Sequence, residues 1–136
     1  MLLLAASAAA PQPIREPSAC EIAARPELLM AQKGRRLSVT GYYERDMHYN
    51  IIRPDGCGDA PLFVSFTGEA VGRIQAFMRE AYPGRNFGGG WVWGTFSGEV
   101  KVRRYRAPYT MDEVEAAYLE VDTIVFDPVR RMIFGN

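Results

Sequence analysis

At 136 residues, 48% hydrophobic and 24% charged, the chain has the size and make-up of one globular domain with a single core. Sixteen Lys and Arg offset sixteen Asp and Glu, which excludes a global field steering the protein onto nucleic acid or an anionic membrane. One histidine and two cysteines are sparse material for a metal centre.

Residues 1–19 read as a signal-like or unstructured N-terminus, and residues 20–136 as a single domain. The apolar run from Leu2 ends in small residues at Ala8-Ala9-Ala10 and then gives way to prolines. It resembles the hydrophobic segment and cleavage region of a secretory signal, without the basic leader. It is too short to span a bilayer. Export to the periplasm or the medium is therefore expected, with no transmembrane segment after the signal. An alanine-rich, floppy terminus is the plainer alternative. Export favours a Cys20–Cys57 disulfide, because an oxidising compartment permits one. Closing that loop contributes about 3–4 kcal/mol in the chain-entropy account. Two free thiols, or a lipid on Cys20, are the alternatives.

Ser18-Ala19-Cys20-Glu21 has the Ser-x-x-Glu form of a capping box, which starts a helix by satisfying its free amides. Pro26 predicts a break and a second short helical turn over Glu27–Gln32, with Gly34 as its stop. Leu37, Val39, Gly41 and Tyr43 then alternate with Ser38, Thr40, Tyr42 and Glu44, the period of a half-buried strand. Met47–Arg53 reads as a second strand, ended by the turn residues Pro54-Asp55-Gly56. Leu62–Phe66 reads as a third. Val71, Ile74, Phe77, Met78 and Ala81 follow helical spacing up to Pro83-Gly84. Past Gly88–Gly90, Trp91–Gly98 is expected as a fourth strand and Tyr118–Phe126 as a fifth.

This order predicts an all-β fold with minor α: a five-stranded barrel, β-β-β-α-β-β, preceded by a short helical segment. It is the order of an oligonucleotide/oligosaccharide-binding (OB) barrel. Val39-Thr-Gly-Tyr-Tyr43 and Val92-Trp-Gly-Thr-Phe96 share the form Val-x-Gly-x-aromatic. Two glycine bends on neighbouring first and fourth strands are what closing such a sheet requires. Gly34-Arg35-Arg36-Leu37-Ser38-Val39-Thr40-Gly41 and Gly94-Thr95-Phe96, with Cys20 before the first strand and Cys57 after the second, resemble the small exported bacterial OB-like proteins of unassigned function. The resemblance spans Cys20 to Phe126. It implies a fold and no catalytic set.

His48 lacks the company that a metal or a general base needs: Cys57, Asp55 and Asp59 are its local candidates, and no nucleophile motif accompanies it. It reads as a polar strand residue, so no metal, cofactor or catalytic residue is expected. Glu120 and Asp122 share a strand face and read as solvated carboxylates. Trp91 and Trp93 are expected to point outward beside Thr40 and Tyr42, where they can stack on sugars, bases or a partner. The competing expectation is that the N-terminal helical segment, with Ile22, Leu28, Leu29 and Met30, packs over them. The connection from Gly98 to Tyr118 reads as a long loop carrying Lys101, Arg103, Arg104 and Arg106 among Tyr105 and Tyr109. Asp112, Glu113 and Glu115 follow, and Thr110-Met-Asp-Glu113 reads as a capping box starting a short helix.

The function expected is a non-enzymatic, exported OB-type module that binds a protein or a glycan. Its binding residues would be Trp91, Trp93, Tyr42 and Thr40, with Arg103, Arg104 and Arg106 reaching in from the loop. Binding of single-stranded nucleic acid or another polyanion through residues 101–109 is the alternative, and a small hydrolase the third reading.

Overall fold

The computed structural model describes residues 16–45, 49–84 and 91–130. The signal-like run and His48 lie outside them. Ser18 caps helix α1 (Ala19–Ala24) as its spacing predicts. Its hydroxyl accepts from the Glu21 amide at 3.2 Å, and the Glu21 carboxylate accepts from the Ser18 amide at 3.4 Å. Pro26 opens a separate helix, α2 (Pro26–Ala31), in the first turn, where its missing amide costs nothing. Gly34, at φ +83°, turns the chain into the sheet.

Five strands follow: β1 (Arg36–Arg45), β2 (Asn50–Pro54), β3 (Leu62–Phe66), β4 (Trp91–Arg106) and β5 (Glu113–Phe126). Helix α3 (Gly68–Ala81) joins β3 to β4. The fold is mostly β, and its sheet closes in a ring ordered β1–β2–β3–β5–β4. That order departs from the chain order because β3 pairs with β5 in parallel, while β4 runs antiparallel to both β5 and β1.

Period-2 alternation builds the core. Val39 and Tyr43 on β1, Val92, Phe96 and Val100 on β4, and Leu119 and Val121 on β5 are buried inside the ring. On β5 the period slips. Ser97 faces Thr123 and Gly98 faces Val121, so Asp122 is an extra residue, a β-bulge. Ile124 is therefore the buried residue beyond it, and Val125 is 66% exposed. Gly41 and Gly94 are direct cross-strand partners. A Cβ on Gly41 would collide with the Arg53 carbonyl oxygen, and one on Gly94 would lie 2.5 Å from that of Val125. At both positions the neighbouring backbone comes so close that only a bare Cα fits.

Helices close the two ends of the ring. Ile22 of α1 and Leu29 of α2 join the core of the ring. Cys20 is disulfide-bonded to Cys57, just past β2, with Cα atoms 5.0 Å apart. At the other end Thr67 caps α3, its side chain accepting from the Ala70 amide at 3.3 Å. The helix thus begins before the apolar spacing predicts. Ala70 and Ile74 face the core and Val71 is exposed. Phe77 stacks on Phe126, ring centroids 4.4 Å apart.

The expected long loop is instead a β-ribbon. β4 and β5 stay paired from Gly94↔Phe126 out to Arg106↔Glu113, leaving a turn of residues 107–112. The acids start no helix: Glu113 opens β5, Met111 takes φ 61°, and the Thr110 hydroxyl accepts from the Asp112 amide at 3.4 Å. Cross-strand ladder bonds and opposite-charge pairs along the ribbon outweigh a local cap.

Candidate binding face on strands β1 and β4

The residues left outside by the alternation of β1 and β4 form one continuous strip. Register sets Ser38 against Ser97, Thr40 against Thr95, Tyr42 against Trp93 and Glu44 against Trp91. The Ser38 and Ser97 hydroxyls are 2.7 Å apart and those of Thr40 and Thr95 2.9 Å apart, each a direct hydrogen bond. Above them the Tyr42 and Trp93 rings meet with centroids 5.6 Å apart, tilted by 43°. Both rings are half-buried, so each keeps part of its surface toward solvent. The side chain of Trp91 lies outside the described part of the structure.

The strip continues onto β2. Arg53 is the other cross-strand neighbour of Tyr42, so guanidinium, phenol and indole stand in a row across three strands. Arg53 is fixed by donating from Nε to Glu44 Oε2 at 3.0 Å and from Nη1 to the Asp59 carbonyl at 2.7 Å. Sequence reasoning missed it, because nothing in Asn50–Pro54 marks its outward side chain as part of another strand's face. Behind the strip, Tyr43 donates to Asn50 Oδ1 at 2.7 Å, and burial pushes its phenol pKa upward.

A second feature borders the strip. The Asp127 amide donates to the Trp93 carbonyl at 2.8 Å, and the Asp127 carboxylate accepts from the amides of Val129 and Arg130. Arg130 then pairs with Asp127 at 2.7 Å and with Asp55 at 2.8 Å. These bonds tie the end of β5 to the end of β2. The Arg130 guanidinium and the two amides hold the Asp127 carboxyl at about 2. The Asp127-Pro-Val-Arg turn was the one local signal for this latch.

The arginines of the ribbon do not join the strip. Arg103 stands ten positions beyond Trp93 on the same strand, at most roughly 30 Å along it at about 3.3 Å per residue. Alternation also divides them. Arg103 lies over the Tyr118 ring at 5.2 Å, whereas Arg104, on the opposite face, binds Glu115 at 2.8 Å. Arg106 stands opposite Glu113. Lys101 pairs with Glu120 at 2.8 Å, and Arg36 makes a two-pronged pair with Asp122, both bonds 2.8 Å. Glu120 and Asp122, read from the sequence as solvated carboxylates, each have their own cation.

The N-terminal helices turn Ile22 and Leu29 into the core. They flank an apolar groove of about 520 Å³ against β3 and β5. Among the described residues no group of three or more His, Cys, Asp or Glu is placed to hold a metal ion. No helix of the described residues is long and apolar enough to cross a membrane. Comparison of the chain with protein-family models, with curated proteins and with solved structures returns no match.

Proposed function

We propose that this protein is an exported OB-like binding module that recognises a saccharide on the outer face of β1 and β4. The observation that carries the reading is the Arg53–Tyr42–Trp93 row above the Ser38/Ser97 and Thr40/Thr95 hydroxyl pairs. An aromatic face beside fixed hydroxyls and a guanidinium matches a sugar ring, which offers an apolar C–H face and a rim of hydroxyl groups. The rigid closed sheet holds these groups in place before the ligand arrives, which lowers the ordering cost of binding.

The OB assignment is supported by the ring order, the helix between β3 and β4, and the glycine bends at Gly41 and Gly94. The disulfide supports an oxidising compartment and hence export. A polyanion ligand on the ribbon finds less support, since Lys101 and Arg104 are each bound to a glutamate.

Calorimetric titration with a panel of neutral and acidic oligosaccharides tests the reading. A saccharide that binds should lose tenfold or more in affinity with Trp93→Ala, in line with the ~1–3 kcal/mol of an aromatic stacking group. The same change should cost roughly 1.5–3 kcal/mol of stability, the lost Tyr42 pair plus the buried part of the ring. Failure of every saccharide, or unchanged affinity in Trp93→Ala, overturns it.

A further inference from the structure

The groove on the opposite side of the molecule is a second and different surface. Its floor is apolar: Ile22, Leu29 and Met30 from the helices meet Leu62 and Phe63 of β3 and Ala117 of β5. Phe63 is 45% exposed at its margin and packs edge-on against Tyr49, itself 57% exposed. Glu27 and Glu115 are the charged residues lining it, and Glu115 is already paired with Arg104 at 2.8 Å. One wall is also an open strand edge. β3 pairs with β5 only through Leu119, Glu120 and Val121, while β5 pairs with β4 all the way to Glu113. From Glu113 to Tyr118, β5 therefore has a strand on one side and, among the described residues, none on the other.

We infer that this groove receives an extended segment of a partner protein, which adds as a strand along the free edge of β5 between Glu113 and Tyr118. The chemistry of the segment follows from the walls. Main-chain bonds come from the open edge, and alternate side chains point into the groove, so they must be apolar. Glu27 selects a Lys or Arg at the end of the segment that reaches it. A saccharide would find few hydrogen-bonding groups on the apolar floor, and a polyanion would meet Glu27 with no free cation lining the groove. A second copy of this chain offers either the β4 edge, with Lys101, Arg103, Arg104 and Arg106, or its own β5 edge, with Glu113 and Glu115, both too charged to fill an apolar groove.

The test uses the full disulfide-bonded chain and short synthetic peptides that alternate Val or Leu with Ser or Thr and end in Lys. Binding is followed by fluorescence anisotropy, and its site by amide chemical shifts. The expected result is saturable binding, with shifts at Ala116, Ala117 and Phe63 and none at Tyr42 or Trp93. N-methylation of alternate peptide amides should abolish binding in one register and spare it in the other. Glu27→Lys, at an exposed helix position, should weaken the Lys peptide tenfold or more and favour a Glu-ended one. No binding by any alternating peptide, binding indifferent to N-methylation, or shifts on the β1–β4 face would each overturn the inference. So would concentration-dependent dimerisation through Phe63. The saccharide reading stands or falls separately, on Trp93.

Discussion

At the scale of single residues, charge placement sets how this protein responds to acid. Asp127 is held at about 2 by Arg130 and two backbone amides. The Arg36 guanidinium, helped by the Thr123 hydroxyl, depresses Asp122 further still. An unfolded aspartate binds its proton near pH 3.9. The unfolded chain thus takes up protons before the folded one does, so these carboxylates contribute fully above about pH 4. Their contribution is lost progressively as pH falls below about 4, that of Asp127 down through about 2 and that of Asp122 at lower pH still. Thermal melts across this range should show a steep acid decline in the native protein. The double variant Asp122→Asn, Asp127→Asn should be less stable at neutral pH and show a shallower decline. An unchanged acid slope would mean that neither latch holds in solution. The site residues themselves were unevenly legible in the sequence. Tyr42, Trp93 and Thr40 follow from alternation on two strands with a shared glycine register. Arg53 joins the strip through its cross-strand register with Tyr42, and Arg130 borders it through Asp127 and the distant Asp55.

At the scale of elements, two glycines carry the closure of the ring. Gly41 and Gly94 face each other across β1 and β4, and each lies against a carbonyl of the next strand on its far side, Arg53 or Val125. Gly41→Ala forces the strands apart at the bend. It should cost about 1–3 kcal/mol, the range for an overpacked interior, measured by urea unfolding. Equal stability of this variant and the native chain would remove the glycines from the account of closure. The Val-x-Gly-x-aromatic repeat made this pairing visible beforehand because it records a steric need. The ribbon was not visible for a related reason. Residues 101–106 carry a charge pattern that also fits a solvated loop, and only their partners on β5 make them a strand. Thr110 to Glu113 looks like a cap, yet a cap worth about 1 kcal/mol yields to a ladder of cross-strand bonds. The bulge at Asp122 was equally hidden, since an extra residue leaves composition and β-propensity unchanged.

At the scale of the whole molecule, the ring separates two surfaces of opposite character. The β1–β4 face is aromatic and hydroxyl-rich. The groove under α1 and α2 is apolar with an acidic rim, and the Cys20–Cys57 bond fixes its α1 wall to the turn after β2. That bond is consistent with a protein working outside a reducing compartment, where a small domain gains most from a covalent tie. The central claim is that the β1–β4 face holds the saccharide. Amide and side-chain chemical-shift mapping of the labelled native protein, titrated with whichever oligosaccharide binds in calorimetry, tests this most directly. The account predicts saturable shifts at the Trp93 indole, Tyr42, Thr40, Thr95 and Arg53, with the ribbon tip and the groove unchanged. Shifts centred on Arg103 to Arg106, or on Ile22, Leu29 and Phe63, with the Trp93 indole unmoved, would contradict it.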